Sequence, residues 1–264
     1  MSHCNPLIHR KSMKKHLLLF ICFIAVTGLN AQDKKFSLGF AANPNLGWIS
    51  AEDTEIEDNI DVSSSGARLG FSYGVMGEIH FTPNYNLALG INHVFTGGKF
   101  SGTNNNSTPD PTSSTPKVYS AVSYEPAKLS YIHIPALLRL KTNEIGYISY
   151  FGNIGFAFDF ALNGKADAVL SGLELDDNNE VVAFNQRQLD SDIRFNTSFL
   201  NPYFVVGLGG QYSLGGNSRV HVGIDYNSGL GNIVSKTETE KYSNIFSDSK
   251  FTNSYVSLNI GIFL

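Results

Sequence analysis

Beyond residue 35, apolar side chains recur at every second position, and they do so in eight separate runs. A period of 2 is that of a β-strand with two unlike faces. In RLGFSYGVMGEIHF (68–81), Leu69, Phe71, Tyr73, Val75, Ile79 and Phe81 form one face, and Arg68, Gly70, Ser72, Gly74, Met76, Glu78 and His80 the other. The same alternation appears over 36–42, 87–92, 132–141, 204–214, 220–226 and 256–264. It is clearest over 148–162, where Ile148, Tyr150, Ile154, Phe156, Phe158, Phe160 and Leu162 oppose Ser149, Asn153, Gly155, Ala157, Asp159 and Ala161. No segment after residue 31 approaches 18 consecutive apolar residues, so no transmembrane helix is expected. Strands could still cross a membrane if they close on themselves, because closure satisfies every backbone group.

The connections alternate as well. TPNYN (82–86), TNEIG (142–146) and GGNS (215–218) are short and rich in turn formers. Residues 49–65, 101–124, 166–198 and 235–250 are long and polar, and they interleave with the short ones. Short turns on one side and long loops on the other match an outer-membrane barrel.

Two eight-stranded architectures compete. A lipocalin-like barrel buries its apolar face, whereas a membrane barrel turns that face to lipid. The non-apolar face is mostly Gly, Ala, Ser and Asn, with few Lys or Glu. That is a poor surface for water and a good filling for a narrow lumen. Rows of bulky residues like those of 148–162 would overfill an eight-strand interior. The patterns also run about 10–14 residues, and about 9–11 suffice for a tilted crossing. The expected fold is therefore all-β, an eight-stranded antiparallel up-and-down transmembrane β-barrel with short periplasmic turns and long extracellular loops. Trp48, Tyr85, Tyr147, Tyr150, Tyr226 and Tyr255 lie near strand ends and are expected to form interfacial aromatic girdles.

MKKHLLLFICFIAVTGLNA (13–31) has a basic start, an apolar run and a small residue at its end, the pattern of a cleavable export signal. Residues 1–31 are read as this leader, with Met13 as the true start, and residues 32–264 as a single barrel domain. Both cysteines, Cys4 and Cys22, fall in the leader, so the exported chain would carry no thiol. Cleavage would take the net charge from −4 to −8, because the leader holds four basic residues and no acid. An acidic exported chain has no electrostatic footprint for nucleic acid.

With the apolar face outward, Arg68, Glu78, His80, Arg139, Lys141, Asp159, His221 and Asp225 point into the lumen. Buried charges persist when paired, so an inward ion-pair and hydrogen-bond network acting as a plug is expected. His80 and Glu78 share a face with Ser72, and Asp159 is inward too, but no G-x-S-x-G nucleophile elbow occurs. No H-x-x-x-H zinc pattern is present, and GLGG (207–210) has no following helix to cradle phosphate. The acids Glu52, Asp53, Glu55, Glu57, Asp58 and Asp61, with Asp176 and Asp177, are candidate Ca²⁺ ligands in two rim segments; no other cofactor is expected.

YIHIPALLRLK (131–141) followed by TNEIGYISYFGNIGF (142–156) resembles the PorT-like outer-membrane β-barrel family of Bacteroidota. His133 stands where that family usually has Glu or Gln, and Leu264 follows Phe263 where such barrels commonly end on an aromatic. Pro135 within this run is expected to bulge or kink its strand. The resemblance implies an outer-membrane location and partners in the bilayer, the barrel-assembly machinery and envelope or secretion proteins. A named member of that family is linked to type IX protein secretion. The expected function is non-enzymatic, with the rim loops mediating interaction. A narrow pore for small solutes and a membrane-embedded hydrolase or acyltransferase are the alternatives.

Overall fold

The computed structural model describes residues 35–53, 60–104, 117–176, 180–192, 198–216, 218–233 and 249–264. The proposed leader lies outside the described residues.

Among the described residues nine strands follow one another: β1 (Phe36–Asp53), β2 (Ile60–His80), β3 (Tyr85–Asn104), β4 (Lys117–Lys141), β5 (Ile148–Leu175), β6 (Val181–Asp192), β7 (Leu200–Gly215), β8 (Ser218–Gly229) and β9 (Ser249–Phe263). All pairings are antiparallel. The order β4-β3-β2-β1-β9-β8-β7-β5, with β4 also paired to β5, closes an eight-strand ring. The first and last strands seal it, Phe40 lying opposite Ile262. These eight strands contain the eight alternating runs of the sequence.

β6 was not expected. β5 pairs with β7 from Ile148 to Phe160 and then with β6 from Lys165 to Leu175. The polar stretch 166–198 is therefore largely a hairpin standing on the ring rather than a structureless loop. The wall rises likewise elsewhere: β3 and β4 are still paired at Thr103 and Ala121. Polar residues on both faces hide such strands from a test for alternating hydrophobicity. β5 alone has 28 residues, and about 9–11 cross the bilayer, so much of it stands outside the membrane.

The alternation resolves with the apolar side outward. Leu69 is 80% exposed, and Phe71, Tyr73, Ile91, Phe156, Leu208 and Ile224 are exposed with it. Inside are Asn43, Ser72, Asn153, Gln211, Asn259 and the charged groups described below. Tyr85, Tyr147, Tyr150 and Tyr226 face outward, and Trp48 stacks on Tyr226 with ring centroids 6.1 Å apart. Tyr255 corrects the girdle assignment. It is only 3% exposed, because it shares the inward parity of Ser257 and Asn259 in β9.

Of the bulge or kink expected at Pro135, the register shows no bulge. Leu89 pairs with Ala136 and Asn92 with His133, so the β3–β4 register is the same on both sides of the proline. Pro135 interrupts the ladder without a bulge, since it lacks only the N–H.

The lumen has two zones. Towards the long loops, Ile49, Phe100, Val122, Leu129, Leu170 and Phe251 belong to one buried apolar cluster. Towards the short turns the filling is polar and charged.

Candidate functional site: the lumenal charge network

Glu78, on β2 near the periplasmic turn, is 0% exposed. Its Oε1 accepts from Arg139 Nη1 and from Gln211 Nε2, the latter at 2.9 Å. Its Oε2 faces Arg219 Nη2 at 3.3 Å and Lys141 Nζ at 3.9 Å. His80 Nε2 is 3.9 Å from the same oxygen and 2.9 Å from the Ser37 hydroxyl. The Asn86 amide, oriented to donate, meets His80 Nδ1 at 2.9 Å. Charge-assisted bonds of this kind are about twice as strong as neutral ones.

Arg139 extends the network upward. Its Nε donates to Asn153 Oδ1 at 2.8 Å. Asn153 Nδ2 donates to Asp225 Oδ1 at 3.1 Å, and Asn259 Nδ2 to Asp225 Oδ2 at 2.6 Å. The Arg139 guanidinium sits 4.3 Å over the Phe151 ring, and His221 stacks on that ring at 4.7 Å. GLGG makes this packing possible. A Cβ on Gly209 would lie 2.4 Å from the Phe151 ring, and one on Gly207 would lie 1.7 Å from Asp225 Oδ1. These glycines are room for neighbours, which answers what the motif is for.

A second group lies higher. His133 Nδ1 donates to Asp159 Oδ1 at 2.5 Å, with the Tyr255 hydroxyl 3.2 Å from the same nitrogen. Asn253 Nδ2 donates to the Tyr203 hydroxyl at 2.9 Å. A cavity of about 70 Å³ borders both groups and is lined by Asn92, His133, Arg139, Asp225, Tyr255 and Asn259 among others. Its lining mixes these polar groups with apolar ones such as Met76, Leu137 and Val205, and it is roomy enough for several waters.

The structure thus places Glu78, His80, Arg139 and Lys141 in one cluster, joins His221 and Asp225 to it through Arg139 and Asn153, and sets Asp159 with His133 apart. Arg68 joins neither. It donates to the Thr96 carbonyl at 2.7 Å, ten residues along β2 from Glu78, or about 33 Å of strand. Arg219, Gln211, Asn153 and Phe151 were not among the expected charged lumenal set. Arg219 carried a usable signal, the inward parity it shares with His221 and Asp225.

The catalytic set considered in the sequence does not assemble. His80 bonds Ser37 and Asn86, Ser72 receives the Asn43 amide at 3.1 Å, and Asp159 binds His133. His133–Asp159 has the form of an acid-oriented base. Of the cavity serines, Ser72 is engaged by Asn43, and Ser257 by the Asp225 carbonyl and Asn259.

Of the acidic rim candidates, Glu55, Glu57, Asp58 and Asp177 lie outside the described residues. Glu52 and Asp53 end β1, paired in register with Lys250 and Ser249, and Asp61 is exposed on β2. Asp176 accepts the Glu180 N–H at 2.8 Å, closing the β5–β6 turn. Among the described residues no group of three His, Cys, Asp or Glu is placed to hold a metal.

A closed ring of eight strands, apolar outside and with a polar and charged filling at its short-turn end, defines a transmembrane β-barrel of the outer-membrane type. The chain belongs to the outer membrane protein beta-barrel domain family, whose model matches residues 30–235. It is an outer-membrane protein, and its outward face meets the lipid bilayer. Solved structures similar to it include the outer membrane protein OprG from Pseudomonas aeruginosa (9% identity, 89% of this chain and 98% of that one, TM-score 0.44). Neisserial surface protein A is similar at 12% identity, covering 85% of this chain and 96% of that one, with a TM-score of 0.38. The outer membrane protease OmpT from Escherichia coli follows at 10% identity, 86% and 94% coverage and a TM-score of 0.31. All three scores lie below 0.5, and family membership rests on the family model. A comparison with curated proteins finds no match.

Proposed function

We propose that the protein acts through its extracellular rim, as a non-enzymatic barrel that engages envelope or secretion partners. The observation that carries this reading is the lumen, filled at two levels while the wall extends outward. The Glu78 layer occupies the periplasmic end and the Ile49–Phe251 cluster the other. Between them the cavity has only about 70 Å³. A lumen packed in this way supports display over conduction. The resemblance of 131–156 to PorT-like barrels supports a role near a type IX-like secretion apparatus or in envelope integrity. Export by the 1–31 leader and insertion by the barrel-assembly machinery belong to the same reading.

Planar-bilayer recording of the purified protein tests it. Large, stable openings would reject the filled lumen and favour the narrow pore. Crosslinking in intact outer membranes, with and without the β5–β6 hairpin, then asks whether a specific partner depends on the rim. A Ca²⁺ titration of the Tm decides whether the acid-rich 51–61 and 175–180 segments bind the ion; no shift ends that idea.

A further inference from the structure

Three cations crowd one buried carboxylate at the periplasmic end of the lumen. Arg139 and Gln211 take Glu78 Oε1, and Asp225 answers Arg139 through Asn153. Lys141 and Arg219 are left to share Oε2, at 3.9 and 3.3 Å, with the His80 ring also 3.9 Å from it. Glu144, exposed in the next turn, is the further acid within electrostatic reach of Lys141. The Nε of Arg219 is buried with no hydrogen-bond partner among the described residues, and the Phe263 ring, 5.2 Å from its guanidinium carbon, closes one face.

Position turns this surplus into a site. Lys141 ends β4 and Arg219 is the second residue of β8, each beside a short turn. Their side chains remain partly open, at 9% and 22%, whereas Glu78 beneath them is sealed. Two cations converging on one oxygen at the mouth of a narrow low-dielectric sleeve focus positive potential outward. An uncompensated buried charge is costly, and an incoming anion relieves that cost.

We propose that Lys141 and Arg219 form an oxyanion site at the periplasmic mouth of the barrel, suited above all to a phosphate group. The guanidinium matches the paired oxygens of phosphate, and the ammonium adds a point charge. The phosphate can be free in the periplasm or carried by a lipid headgroup of the inner leaflet; the recognising chemistry is the same.

The test uses the full protein folded in zwitterionic micelles with ¹⁵N-labelled arginine. Inorganic phosphate is titrated at constant ionic strength against chloride. The Arg219 Nε–H signal should shift and saturate. Lys141→Gln should weaken binding about tenfold, the loss of one charge-assisted contact, while Lys141→Arg should retain it. A second arm, without free phosphate, compares nanodiscs of phosphatidylcholine, whose phosphate is a diester capped by choline, with nanodiscs containing phosphatidic acid, whose phosphate is an uncapped monoester like the inorganic ion. A response confined to the phosphatidic acid discs assigns the phosphate to lipid; a response to inorganic phosphate assigns it to the free ion. A shift that chloride reproduces, or that survives Lys141→Gln unchanged, overturns the site, as does silence in both arms.

Discussion

Glu78 and Arg139, 61 residues apart in the chain, meet inside the barrel as an ion pair with the carboxylate closed to solvent. Removing the carboxylate leaves Arg139, Lys141 and Arg219 facing one another. Breaking a buried pair in this way costs about 3–5 kcal/mol. Glu78→Gln should therefore lower unfolding stability in liposomes by that order, measured by denaturant titration. The exposed Glu144→Gln should stay within about 0.5 kcal/mol of the parent. A cost for Glu78→Gln below about 1 kcal/mol would show that the pair does not hold the lumen together.

Gly209→Ala tests whether the Phe151 shelf is needed. The new methyl would come within 2.4 Å of that ring and equally of the Val222 carbonyl oxygen, and overpacking of a filled interior costs about 1–3 kcal/mol. Gly152→Ala is the control, because a Cβ there meets nothing nearer than 3.8 Å. Equal stability of the two variants would mean that Phe151 and the β8 backbone at Val222 both give way freely. In that case the Arg139 stacking is not fixed by the glycines.

The outward face can be tested with charge. Val206 is exposed on the β7 exterior between Phe204 and Leu208. Val206→Arg should cost about 2–4 kcal/mol if the position lies near the bilayer midplane. The same substitution measured in zwitterionic micelles and in bilayers of increasing thickness should grow more costly with thickness. A neutral result in every bilayer would place Val206 outside the hydrocarbon.

Replacing Ser171–Asn185 by Asn-Gly should shorten the β5–β6 hairpin while leaving Leu170 opposite Gln186, as they are now. Asn-Gly suits a two-residue hairpin turn. The shortened protein should still show the heat-modifiable gel shift of a folded barrel, since Ala168 and Leu170 remain in the apolar cluster. Loss of the gel shift would make the hairpin part of the folding unit and not an appendage.

Much of the wall was legible in the sequence, and little of the network was. Alternation at Leu69–Phe81 and Ile148–Leu162 is local, so the sidedness of every ring strand follows from neighbours in the chain. The polar composition of the opposite face then decided which side meets lipid. Tyr255 shows the cost of trading that rule for a position near a strand end, because its parity already placed it inside. The contacts of Glu78 could not be read in the same way. Gln211 and Arg219 lie 133 and 141 residues from it in sequence, and closure and register decide which inward groups share a level. β6 escaped for a different reason: most of its side chains are exposed on both faces, so no periodicity marks it.

β5 changes partner partway along its length, from β7 below to β6 above. The ring is complete beneath that handover. Descendants of this barrel can therefore lengthen, shorten or rewrite the projecting hairpin without changing strand number or lumen width. Variation has a place to accumulate there while the anchored part is inherited intact. For the same reason the hairpin tip is a natural point at which to graft a foreign epitope for display on a cell surface.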